Sequence, residues 1–107
     1  MINKDLFKFL KELKQNNSKV WFDENRTQYQ NLRKEFMDFI SILILELSKM
    51  EPEIKNIEPK DCVFRINRDI RFSPDKTPYK TNMGAYIAPG GKKAMKPGYY
   101  LHLEPGS

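Results

Sequence analysis

The sequence predicts an α+β fold, with two N-terminal helices packed on a small antiparallel sheet of about three strands. Three observations carry that reading. Apolar residues recur three and four apart through the first half of the chain. The spacing changes to every second residue after Lys60. Pro52, flanked by Glu51 and Glu53, separates the two regimes. The 107 residues suit one α+β domain, with 1–52 helical and 60–107 strand-rich, or the N-terminal half of a larger one.

In the first helix Asn3 or Asp5 is the expected cap, and Leu6, Phe9, Leu10 and Leu13 make the apolar stripe. The polar break QNNSK at 15–19 ends it. Val20, Trp21 and Phe22 form a bulky apolar knot before Asp23, the expected cap of a second, longer helix. Tyr29, Leu32, Phe36, Phe39 or Ile40, Leu43 and Leu47 stripe that helix until Pro52 stops it.

The first strand reads CVFRINR, with Cys62, Phe64 and Ile66 on one face and Val63, Arg65 and Asn67 on the other. The second reads MGAYIA at 83–88, with Tyr86 opposite Met83, Ala85 and Ile87. Pro89-Gly90-Gly91 is turn chemistry, and a loop through Lys92, Lys93 and Lys96 leads to the third strand, YYLHLE. There Tyr99, Leu101 and Leu103 oppose Tyr100, His102 and Glu104, so one sheet face lies under the helices and the other stays partly polar. The last strand runs into EPGS with no following partner, an exposed edge through which copies could pair.

Hydrophobic residues at 39% and charged residues at 31% are the balance of a globular chain rather than a disordered tail. The lone Cys62 excludes an intramolecular disulfide and a multi-cysteine zinc site, and a small buried hydrophobe is its expected role. The apolar run from Phe39 to Leu47 is broken by Ser41 and Glu46 and is too short to span a bilayer. MINKDLFKFLKELK alternates charged and apolar residues, unlike a secretory signal, so a cytoplasmic protein without membrane association is expected. On that expectation the glycosylation patterns at Asn16-Asn17-Ser18 and Asn25-Arg26-Thr27 are chance matches.

The net charge of +5 is uneven. Ten basic and ten acidic side chains balance over residues 1–59, whereas nine basic residues meet only Asp61, Asp69 and Asp75 over 60–96. Such an excess creates a local field that steers an anionic partner. Its centre is FRINRDIRFSPDKTPYKTN at 64–82, stiffened by Pro74 and Pro78. Pre-ordering lowers the cost of binding, and arginine offers a planar fork for phosphate oxygens. The expected ligand-binding set is Arg65, Asn67, Arg68, Arg71, Lys76, Tyr79, Lys80 and Asn82, holding a phosphorylated small molecule. Set against it is a purely structural network in which Asp69 and Asp75 pair with Arg71 and Lys76.

His102 and Glu104 stand two apart on one strand face, where they could act as base and orienter beside Arg65 and Asn67, with Asp69 as a further catalytic candidate. A metal needs more ligands than one histidine and its neighbours supply, so none is expected, and the sequence names no cofactor. Gly90-Gly91-Lys92-Lys93 fails the spacing of a phosphate loop and reads as a hairpin turn. Tyr79, Tyr86 and Tyr100 could instead stack on bases, which keeps a nucleic-acid-binding module as an alternative to the small phosphorylated ligand. A structural or interaction domain with no ligand is the third reading.

The stretches FLKELKQNNSKVWFDENRTQY, PKDCVFRINRDIRFSPDKTPYKTNMGAYI and GYYLHLEPGS, which together span nearly the whole chain, resemble the conserved hypothetical family termed domain of unknown function 2461. The residues that look like its signature are Trp21, Phe22, Asn25, Arg26, Phe64, Arg65, Arg68, Asp69, Arg71, Phe72, Lys76–Lys80, Gly84, Tyr86, His102 and Glu104. The resemblance implies an α+β fold, carries over no catalytic role, and makes the chain look like the N-terminal half of a member.

Overall fold

The structure is a computed structural model and describes residues 4–106. Helix α1 spans Lys4–Gln15, and its stripe of Leu6, Phe9, Leu10 and Leu13 is buried as the spacing predicts. Asp5 sits inside the first turn, where a carboxylate favours the helix dipole, rather than at the cap. The other expected cap, Asn3, lies outside the described residues.

The apolar knot is itself a helix. α2 spans Lys19–Glu24, and Ser18 caps it by accepting a hydrogen bond from the Trp21 N–H at 3.2 Å. Asp23 therefore caps nothing; it lies within α2 and pairs with Lys19 and Arg26. α3 runs from Arg26 to Ser48. At the junction Asn25 leaves helical geometry, and both its backbone N–H and its side-chain Nδ2 donate to the end of α2. Among the described residues the helical half thus has three α-helices instead of two. Along α3 the buried stripe is Tyr29, Leu32, Phe36, Ile40 and Ile44, with Leu43 and Leu47 half-buried at its margin. Two 3₁₀ turns follow, Pro52–Ile54 and Pro59–Asp61, and Ile54 drops into the core.

Among the described residues the sheet has two strands rather than about three. β1 (Met83–Ile87) pairs antiparallel with β2 (Tyr99–Leu103), in the register Gly84↔His102 and Ala85↔Leu101. The expected strand at 62–68 meets its neighbours only at two isolated bridges, Val63↔Ala85 and Asn67↔Tyr79. Val63 to Asn67 is four steps, whereas Tyr79 to Ala85 is six, so the segment around Thr81 and Asn82 bulges and no continuous ladder forms. Gly98 lets β2 start close against β1: a Cβ there would stand 2.3 Å from the Ile87 carbonyl oxygen.

Helices and sheet share one core. Met83, Ala85 and Ile87 of β1 join Val63, Ile66 and the helix stripes, and Cys62 is buried among them. Phe22 stacks on Tyr79 at 4.2 Å between ring centroids, and Phe9 packs edge-on to Phe22. No helix among the described residues is long and apolar enough to cross a membrane.

Candidate functional site

The basic segment leaves the core at Ile66 and returns at Tyr79, and the loop between is braced by its own cations. Arg68 Nη1 donates to the Thr77 carbonyl and hydroxyl oxygens at 2.8 Å each and lies 3.5 Å from the Asp75 carboxylate. Lys76 Nζ donates to the Ile70 carbonyl at 2.7 Å. Arg71 grips Asp69 with a two-pronged contact at 3.0 and 2.8 Å, which pulls the Asp69 carboxyl below its ordinary range. Asp75 is also held low, first by the Thr77 N–H and hydroxyl and only weakly by Arg68. Of the structural pairings read from sequence, Asp69–Arg71 forms, whereas Asp75 goes to Thr77 and Arg68 while Lys76 takes a carbonyl.

The loop's inner end is clamped by a residue distant in sequence. The Asn17 carboxamide donates through Nδ2 to the Tyr79 carbonyl at 2.8 Å and accepts the Tyr79 N–H at 3.1 Å through Oδ1. It therefore replaces a strand partner that this backbone lacks.

Beside that clamp stands Lys80. Its ammonium donates to the Arg65 carbonyl at 2.7 Å and lies 5.6 Å from the centroid of the Phe64 ring. Burial and then the positive charge of Arg65 push Lys80 below the ordinary lysine range. No carboxylate within ion-pair distance offsets it among the described residues. Lys80 lines an open cavity of about 470 Å³ together with Arg33, Lys60, Arg65, Lys92 and Lys93, and the remaining walls are Val63 and Phe64. Six cations and no carboxylate line this wall, and of the six Lys60 also pairs with Glu58 at 3.2 Å. Arg33 reaches it from α3 and Lys60 from the second 3₁₀ turn, while Lys92 arrives on the β1–β2 connection and donates to the Lys60 carbonyl at 3.2 Å. Gly91 permits that approach, for it has φ 86° and a Cβ would meet the Asp61 carbonyl at 2.9 Å.

On the other side of Phe64 and Lys80 is a second cleft, of about 420 Å³, lined also by Arg68, Asp69, Asn82, Gly84, Tyr100 and His102. The outer face of β2 supplies a hydrogen-bonded chain there. The Tyr100 hydroxyl lies 3.0 Å from His102 Nδ1, and His102 Nε2 lies 2.8 Å from Glu104 Oε1. Phe64, not Arg65, shares this face: Val63 bridges Ala85, which pairs with Leu101, so Val63 belongs to the inner face and Phe64 to the outer one.

The structure thus brings Arg68, Asp69, Lys80, Asn82 and His102 around one cleft and carries Glu104 behind His102. Arg65 lines the neighbouring basic cleft. Arg71 and Lys76 belong to the braced loop and line neither of these two clefts, and Asn67 is an exposed bridge residue. The Tyr79 ring is 6% exposed and stacked in the core, so it presents no face to a base. Tyr86 spends its hydroxyl on the Lys96 carbonyl at 2.6 Å. Sequence reasoning did not assign Arg33, Lys60, Lys92 or Lys93 to a site. Cys62 is buried, and burial, followed by Asp61, raises its thiol above the ordinary range, as expected of an inert cysteine. Among the described residues no cluster of three or more His, Cys, Asp or Glu side chains could hold a metal ion.

A family model described as a conserved hypothetical protein (DUF2461) matches residues 5–107. No curated protein and no solved structure matches the chain.

Proposed function

We propose that this chain, which belongs to the conserved hypothetical protein family DUF2461, binds an anionic, phosphorylated ligand at the basic cleft around Lys80. The observation that carries this reading is a cavity walled by six cationic side chains and no acidic one. Like charges gathered at a partly buried lysine cost free energy in the empty protein, and an anion placed among them removes that cost. The cavity, at about 470 Å³, falls within the size range of small-ligand sites. Arginine at positions 33 and 65 offers forks for phosphate oxygens, and the lysines add point charges.

Thermal unfolding with inorganic phosphate and a panel of phosphate monoesters and nucleotides tests the reading. A ligand at 100 times its Kd stabilises the fold by about 2.7 kcal/mol. The expected outcome is a rise in Tm with at least one phosphate compound, lost in Lys80→Met and in Arg65→Met. No shift with any phosphate, or a shift unchanged in both variants, overturns it.

A nucleic-acid reading draws on a different observation. Phe72 is 93% exposed at the loop tip, with the Arg71 guanidinium 5.7 Å from its ring centroid. An oligonucleotide arm of the same experiment separates the two: binding that weakens steeply with salt and depends on Phe72 favours nucleic acid.

A further inference from the structure

We propose that Tyr100, His102 and Glu104 form a base-activated hydroxyl, an acid–base centre in the cleft that adjoins the basic one. The alternation of β2 sets these three side chains on one outer face, and their polar atoms meet in series at 3.0 and 2.8 Å. An ionised carboxylate only accepts hydrogen bonds, so Nε2 carries its proton toward Glu104. That leaves Nδ1 to accept the Tyr100 O–H. A hydroxyl, a base within hydrogen-bond reach and a third group orienting the base are the elements of an activated nucleophile or general base. Tyr99, the preceding residue, points to the opposite face and donates instead to Glu51 at 2.6 Å, with no imidazole to take its proton.

The cleft holding Tyr100 and His102 shares Phe64 and Lys80 with the basic cleft, and Arg68 and Asn82 line it as well. A ligand seated on the basic side and long enough to pass Phe64 would meet the Tyr100 oxygen. When that oxygen takes a proton from the ligand, its own proton passes to His102 Nδ1, and the imidazolium is held against Glu104. The reverse step returns the proton, so the net event is proton exchange between ligand and His102. Lys80 and Arg68 stand where they stabilise the negative charge left on the ligand. The identity of the ligand rests on the basic-cleft reading; the activation of Tyr100 does not.

The test uses the full chain and a neutral reagent, phenylmethanesulfonyl fluoride. The Tyr100 oxygen forms a bond to sulfur, the S–F bond breaks, fluoride leaves and the hydroxyl proton goes to His102. Peptide mass spectrometry is expected to place the label on Tyr100 in preference to Tyr99, with labelling slowed about tenfold or more in His102→Gln. Glu104 acts as a positioning residue, so Glu104→Gln is expected to shift the nitrogen-15 signals of His102, the chain's single histidine, away from the Nε2–H tautomer. Equal labelling of Tyr99 and Tyr100, or an unchanged rate in His102→Gln, overturns the proposal. Because the reagent carries no charge, a failure here is distinct from a failure of phosphate binding.

Discussion

Lys80 is the residue on which both clefts turn, and its protonation links the site to stability. Burial and Arg65 lower its pKa in the folded chain, whereas the unfolded chain binds that proton up to the ordinary lysine value. Between the two values the unfolded state holds more protons, so stability rises with pH across that window. The cost of keeping Lys80 charged is present in full below its folded pKa and fades as pH climbs toward 10.5. The unfolding free-energy difference between the native chain and Lys80→Met should therefore change in favour of the native chain as denaturant melts move from pH 8 to the window just below 10.5. A difference that stays flat over that range would contradict the assignment. Sequence alone marked Lys80 as basic and placed it in the ligand set, but its half-buried position without a carboxylate at ion-pair distance among the described residues arises from the fold around it. Asn17 shows the same limit in reverse: read as part of a glycosylation match, it is the clamp on Tyr79, and no local pattern betrays a partner so far along the chain.

At the scale of elements, the loop from Asp69 to Pro78 keeps its shape because Arg68 Nη1 donates to the Asp75 carbonyl and to the Thr77 carbonyl and hydroxyl, while Nη2 reaches the Ser73 hydroxyl. The Arg68 side chain is only 27% exposed, although the acceptors it reaches on Asp75 and Thr77 lie at the surface. Arg68→Lys preserves the charge but not the fork. It should cost about 0.5–1.5 kcal/mol in unfolding free energy, the net worth of a hydrogen bond whose acceptors water can still reach, and speed amide hydrogen exchange across the loop. Full stability and unchanged exchange in Arg68→Lys would mean that charge alone suffices. Legibility in this half of the molecule followed the length of the pattern. α1 and α3 were readable because their stripes repeat over several turns. α2 has six residues, too few to display a period, and its one signal was Ser18. In CVFRINR, Val63 and Ile66 both turn into the core although the alternation set them on opposite faces; the bulge opposite breaks the ladder, and a bulge leaves no mark on the alternating segment itself. For that reason Arg65 was expected beside His102 and Glu104, and Phe64 is found there.

Across the whole molecule, 42 by 32 by 24 Å, the basic cleft is assembled from α3, the second 3₁₀ turn, the 62–68 segment, Lys80 and the β1–β2 connection. The sequence displayed the charge excess, yet only the fold decides which cations face one another. Arg33 was the hardest to foresee, since its place is set by the rotation of α3 against the core. The same assembly leaves β2 with a single ladder partner, β1, among the described residues. An open strand edge pairs with further strands unless something blocks it. Sedimentation of the chain should accordingly show a mean mass that rises with protein concentration and falls back when Tyr100→Lys places a charge on the exposed face of the strand. A constant monomer mass would show that the edge is protected.

The clamp between Asn17 and Tyr79 joins residues separated by 62 positions, and this has a consequence in time rather than in space. Closing so long a loop is entropically costly, so the contact becomes favourable only after the helices and the aromatic core have already drawn the two segments together. The clamp is then expected to be among the last contacts to form and among the first to loosen, which amide hydrogen exchange at Tyr79 would read.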